Sequence, residues 1–164
     1  MAEQEVEVIK KIFEVMKMHP SYQEHQAVIT SEEAAQTRGV ELKSGIKALL
    51  FTNGEGKEVS WVIVNVPADK KVDQKKVSEE MEWSKGKTRM ATEAEVEERT
   101  GCKIGAVPPF GHRKRTKILV DKKVYENQES NFNIGTRTQS VRIQTKEMRI
   151  VFNKLEAKEG EYTK

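Results

Sequence analysis

Two apolar stretches constrain the fold of this chain more than anything else in it. One runs G-I-K-A-L-L-F-T from Gly45 to Thr52, and the other V-S-W-V-I-V-N-V from Val59 to Val66. Asn53-Gly54 follows the first, a strong hairpin signal. Both stretches are apolar on both faces, so both strands belong inside a sheet that is covered on each side. The covering must come from helices. Glu3 to Met18 repeats Val6, Ile9, Phe13 and Met16 at helical spacing and stops at His19-Pro20. Ser21 to Ile29 reads as extended. Thr30-Ser31-Glu32-Glu33 forms a capping box that opens a short helix, closed by Gly39. Lys71 to Glu82 is a further helix, and Thr92-Glu93-Ala94-Glu95 caps another that Gly101 ends.

The remaining segments are shorter. Lys87 to Ala91, Thr116 to Asp121 and Ser140 to Gln144 read as strands, with Val124-Tyr125 continuing the second after a turn at Lys122-Lys123. Asn131 to Thr138 reads as a polar loop around Gly135. Thr145 to Met148 fits one helical turn, and Arg149 to Phe152 a last strand. Helices interrupt the strands without a regular βαβ repeat. The expected class is α+β, a mixed sheet or small barrel with helices packed around it. One domain is expected over residues 1–153, followed by a charged tail or linker over 154–164.

Composition excludes several classes. With 164 residues the chain is long enough for one well-filled core. The balance of 29 basic and 26 acidic residues permits nucleic-acid binding only where the positive charge clusters. Such clusters occur at Lys70, Lys71, Lys75 and Lys76, and again at Arg113, Lys114, Arg115 and Lys117. Cys102 is the single cysteine, so no internal disulfide can form. No apolar run reaches membrane-spanning length, and the first residues are acidic and polar, unlike a signal peptide. A cytoplasmic protein is expected.

Two features could carry chemistry. Thr100 to His112 reads T-G-C-K-I-G-A-V-P-P-F-G-H, with three glycines and two prolines. Glycine permits close backbone approach and proline stiffens, so this loop could aim N–H groups at a carbonyl or a phosphate, or simply connect a helix to a strand. Lys47 is the other. It shares a strand face with Leu49 and Phe51, where an ammonium must be paired, facing a cavity, or snorkelling to water. No nucleophilic triad is visible. Cys102 near His112 could form a cysteine nucleophile, although a buried thiol is the commoner fate. His19, His25 and His112 are scattered, without metal-ligand spacing. No phosphate-loop or dinucleotide motif occurs, so neither metal nor cofactor is expected.

Four stretches in order resemble the YbaK/prolyl-tRNA-synthetase-associated family of editing aminoacyl-tRNA deacylases. They are H-Q-A-V-I-T-S-E-E-A-A from His25 with R-G-V from Arg38; G-I-K-A-L-L-F from Gly45; R-M-A-T-E-A-E-V-E-E-R-T-G from Arg89 running into G-A-V-P-P-F-G from Gly105; and F-N-I-G-T-R-T from Phe132. The resemblance implies a compact, largely antiparallel mixed barrel with flanking helices. It implies hydrolysis of the ester joining a wrong amino acid to tRNA, with prolyl tRNA the expected class. Lys47 matches the family's functional lysine, and Gly105 to Pro109 its glycine-proline loop. The implied catalytic residues are Lys47 and Gly105. The implied substrate contacts are Thr30, Ala106, Val107, Pro108, Pro109, Phe110, Gly111 and Gly135, with Arg113, Lys114 and Arg115 holding the tRNA. The implied partners are mischarged tRNA and a prolyl-tRNA synthetase in cis or in trans, with no membrane. Phe132-Asn133-Ile134-Gly135 lacks the histidine-proline pair of the alanine-specific branches, which points to the YbaK-like or broad branches. The alternative is a non-catalytic tRNA-binding or assembly module attached to a synthetase.

Overall fold

A computed structural model describes residues 3–54 and 59–164. The first helix, α1, spans Glu3–Val15 and buries Val6, Ile9 and Phe13. It stops earlier than the spacing predicts, where Lys17 takes a left-handed φ of 60° and Met18 N–H bonds Phe13 O. Strand β1 is Ser21–Glu24. Helix α2, Ser31–Arg38, carries the expected capping box between Thr30 and Glu33 and a left-handed Gly39 after it. A short 3₁₀ turn at Leu42–Ser44 leads into β2, Ile46–Thr52, and then β3, Trp61–Pro67.

Strands β2 and β3 pair antiparallel in register from Ile46↔Pro67 to Thr52↔Trp61, so the turn is longer than Asn53-Gly54 alone. Helix α3 is Gln74–Met81, β4 is Arg89–Met90 and helix α4 is Glu93–Thr100. Thr92 caps α4 through the predicted box with Glu95. Strands β5, Lys117–Asp121, β6, Glu129–Asn133, and β7, Gln139–Gln144, follow. Helix α5 is Thr145–Lys154 and β8 is Lys158–Gly160.

Among the described residues the strands form two sheets. One has the order β4-β2-β3-β5-β8 and the other β1-β7-β6. The first is mixed, since β3–β5 and β5–β8 run parallel. A single bridge between Gly45 and Asn131 joins the two sheets, and the ladder does not close into the expected barrel. The mixed α+β class is as read from the sequence.

The sheet of β2 and β3 is covered on both faces. Phe51, Val62, Val64 and Val66 pack with Val77 of α3 on one side. Leu50, Ile63 and Val96 of α4 fill the other. A third cluster of phenylalanine rings, with Phe110 edge-on to Phe13 and Phe152, ties α1 and α5 to the second sheet.

Three local readings fail for one reason, that tertiary contacts outvote local pattern. Val124-Tyr125 lie in a 3₁₀ helix, not a continued strand. Phe132 and Asn133 belong to β6 rather than a loop, and Arg149 to Phe152 are helical because Met148, Val151 and Phe152 share the buried face of α5. The supposed tail is part of the domain. Strand β8 pairs with β5, and Tyr162 is 1% exposed, its N–H donating to Asp121 Oδ2 at 2.8 Å.

Candidate active site

A cleft of about 200 Å³ opens where α2, the start of β2 and the 104–107 loop meet, with Asn131 and Asn133 of β6 behind it. Lys47, Thr30, Gly105 and Val107, all singled out in the sequence, line it together. The lysine and the loop, 58 positions apart by the numbering of Lys47 and Gly105, thus share one cavity.

The local sequence explains each wall. Ser31, Ala34, Ala35 and Arg38 recur at helical spacing and form the cleft face of α2. The small alanines leave room for a ligand. Lys47 sits one residue inside β2 and is half-buried. Among the described residues its ammonium makes no hydrogen bond or ion pair. Burial lowers its pKa from the ordinary lysine value; Glu32 and Asp69 act in the opposite sense and Lys71 adds to the lowering. A desolvated, unpaired cation facing a cavity is poised for an anion or an oxygen that gains negative charge.

Arg38 is the second cation here. Its Nη1 donates to Asn131 Oδ1 at 2.8 Å, its Nη2 to Asn133 Oδ1 at 2.7 Å and its Nε to Ser140 Oγ at 2.9 Å. His25 Nε2 bonds the same serine hydroxyl. No carboxylate lies within ion-pair reach of Arg38 among the described residues, and burial lowers its pKa to about 10. Asn131 and Asn133 are two apart on β6, so both face this guanidinium.

The loop is held from several sides. Asn65, buried in β3, donates to Pro109 O, and His112 Nε2 bonds Pro108 O at 2.7 Å. Ala106 N–H donates to Lys103 O at 2.9 Å. Asn133 Nδ2 donates to Gly105 O at 2.5 Å. Gly105 has φ +86, and a Cβ there would lie 3.0 Å from Ile29 O, so only glycine fits without strain. The N–H groups of Gly105 and Val107 have no protein acceptor among the described residues. With Ile104 N–H, which is likewise without an acceptor among the described residues, they are the donors of the cleft-lining loop residues that a ligand can use.

Several predicted contacts are committed within the protein or fall outside the cleft. The Thr30 hydroxyl is committed to the capping box. Ala106 is buried with its N–H used, and Pro108 and Pro109 are buried with their carbonyls bonded. Phe110 is 0% exposed in the ring cluster, because an apolar ring gains more from the core than from the loop surface. Gly111 packs on Ile9, and Gly135 lines a neighbouring groove with Gly101 and Arg137. Arg113, Lys114 and Arg115 line a groove near residues 154–156, where Arg113 pairs with buried Glu5 and Lys114 with Glu98. Cys102 is buried outside the cleft, and burial pushes its thiol up to about 12, the reverse of an activated nucleophile.

Sequence reasoning gave no role to Arg38, Asn131 or Asn133. The signal was present: two asparagines at strand spacing opposite a lone arginine at the end of a helix. Reading residues 131–138 as a loop hid it. Among the described residues no group of three or more metal-ligating side chains is assembled, and no helix is long and apolar enough to cross a membrane.

The model for the aminoacyl-tRNA editing domain matches residues 25–150. A protein of Escherichia coli K12 named multifunctional Ser/Thr-tRNA deacylase ProXp-y is 32% identical over 123 residues, covering 74% of this chain and 72% of that protein. The proline–tRNA ligase of Aromatoleum aromaticum is 32% identical over 102 residues, 58% of this chain but 17% of the ligase. A solved structure of a candidate trans-editing enzyme for prolyl tRNA synthetase superposes with a TM-score of 0.81 at 25% identity, covering 98% of this chain and 97% of that one. The matched span holds the cleft, its lysine and its glycine loop, and the chain belongs to the aminoacyl-tRNA editing domain family.

Proposed function

We propose that this cleft hydrolyses the ester bond of a mischarged aminoacyl-tRNA carrying a small wrong amino acid. The observation that supports it most directly is the unpaired Lys47 ammonium in the same cleft as the free Gly105 N–H. Ester hydrolysis needs little else. Water oxygen bonds the acyl carbon, and the carbonyl electron pair moves onto its oxygen. The bond from that carbon to the ribose oxygen then breaks, and the ribose oxygen takes a proton. Free amino acid and tRNA leave.

The developing oxyanion is the costly species, and Gly105 N–H is its donor in this reading. One such donor contributes about 2.7–4 kcal/mol. Lys47 holds the terminal phosphate or the ester itself, and so fixes the acyl group against the loop. A ribose hydroxyl beside the ester can orient the water, so no protein base is required. The cleft contains no serine–histidine or cysteine–histidine pair among its lining residues, which suits that economy.

The E. coli relative's name supports serine and threonine as acyl groups, and the matching segment of a proline–tRNA ligase supports prolyl tRNA or a synthetase partner. Arg113, Lys114 and Arg115 then contact phosphates away from the 3′ end. The test is Lys47→Ala against tRNA mischarged with alanine, cysteine, serine or threonine. Turnover should vanish while the melting temperature stays close to that of the wild type. Wild-type rates in that variant would defeat the assignment.

A further inference from the structure

Two consecutive carbonyls of the glycine loop are held by one short segment, residues 133–137. Asn133 Nδ2 takes Gly105 O at 2.5 Å, and Arg137 takes Ile104 O through Nε at 3.0 Å and Nη2 at 2.7 Å. The same arginine accepts Val28 N–H at its own carbonyl, 2.9 Å away. Val28 precedes Ile29 and Thr30, which line the cleft beside Gly105. Arg137 therefore ties these two cleft-lining segments together, side chain to one and main chain to the other.

The clamp bears on the direction of one amide. Every described peptide is trans. In a trans peptide the N–H points away from the carbonyl oxygen of the preceding residue. Arg137 lies outside the cleft, in the groove beside Lys103 and Ala106, while Ile104 and Gly105 line the cleft. Drawing Ile104 O toward Arg137 turns Gly105 N–H to the other side.

We infer that Arg137 is a positioning residue, which aims the Gly105 N–H into the cleft by holding the Ile104 carbonyl. This rests on the reading of Gly105 as the oxyanion donor. Arginine suits the task because its planar fork places two N–H groups on one acceptor, where a lysine offers a single point donor. Arg38 reinforces the arrangement by donating to Asn133 Oδ1, which fixes the amide that holds Gly105 O. Arg137 is only partly covered and belongs to no core cluster, so its replacement should leave the fold intact.

The experiment compares Arg137→Ala and Arg137→Lys with wild type in steady-state deacylation, and records the backbone amide resonances of Gly105 by NMR. A misplaced donor affects the transition state rather than ground-state binding. Arg137→Ala should lower kcat by about a hundredfold with KM little changed. Arg137→Lys should recover part of that loss. The Gly105 ¹⁵N resonance should move in the alanine variant, since the carbonyl bonded to it loses its donors. An unmoved Gly105 resonance overturns the clamp whatever the activity. A moved resonance with wild-type kcat overturns its catalytic relevance. If the wild-type protein hydrolyses no mischarged tRNA, the functional reading fails instead, and the resonance shift alone then decides whether Arg137 aims this amide.

Discussion

Gly105→Ala separates the strain of a loop from its chemistry. With φ at +86, an L-residue there carries about 1–2 kcal/mol of backbone strain. The new Cβ also lies 3.0 Å from Ile29 O, a backbone atom, so one lip of the cleft must shift. About 1–2 kcal/mol corresponds to a fall in melting temperature of roughly 2–8 °C for a chain this long. Gly54→Ala is the control. Its φ is +123, nothing among the described residues lies within 4 Å of its Cβ, and it follows the far end of β2 from Lys47. Gly54→Ala should carry comparable backbone strain without the collision, with deacylation intact. Gly105→Ala keeps its N–H but displaces it against Ile29, and should lose kcat by up to about 10²–10³, the worth of one oxyanion donor. Thermal melts and single-turnover deacylation at a temperature where both variants are folded give the comparison. If the two variants lose equal stability and equal activity, Gly105 is a structural glycine and the donor assignment is wrong.

Other outcomes follow from the same coordinates. Cys102→Ser should deacylate at the wild-type rate, because the thiol is buried outside the cleft with its pKa raised; lost turnover in a folded variant would reinstate a cysteine mechanism. Burial lowers His112 to about 4, so the folded state resists the proton that the unfolded chain takes up near pH 6.5. Stability should fall as pH drops from about 6.5 toward 4, by up to about 3 kcal/mol, and His112→Gln should flatten that slope in urea titrations. Tyr162→Ala should cost about 3–5 kcal/mol by chemical denaturation, as for any large buried ring, and an unchanged midpoint would return residues 154–164 to the status of a tail.

The elements that the sequence disclosed are those whose signals are local. Both capping boxes, at Thr30 and Thr92, need only residues three apart, and both form as read. The apolar runs of β2 and β3 declare their burial by composition, and they pair as expected. Lys47 stands out because an ammonium inside such a run has no ordinary reason to be there. The glycine loop is legible for a similar reason, since three glycines and two prolines fall within eleven residues, Gly101 to Gly111.

Signals that depend on distant partners were hidden. Strand β8 is three residues of Lys-Glu-Gly, without strand character of its own, and exists because β5 offers an unpaired edge. Phe110 looks like a loop residue until Phe13 and Phe152 close around it. Arg38 and Asn133 have no relation along the chain, yet they are hydrogen-bonded at 2.7 Å in the wall of the cleft. Sequence alone therefore determined the elements with local signals, the capped helices and the two apolar strands, and which residues are chemically out of place. Tertiary structure alone decided which of those residues meet, because hydrogen bonds and ring contacts act over a few ångströms whatever the distance along the backbone.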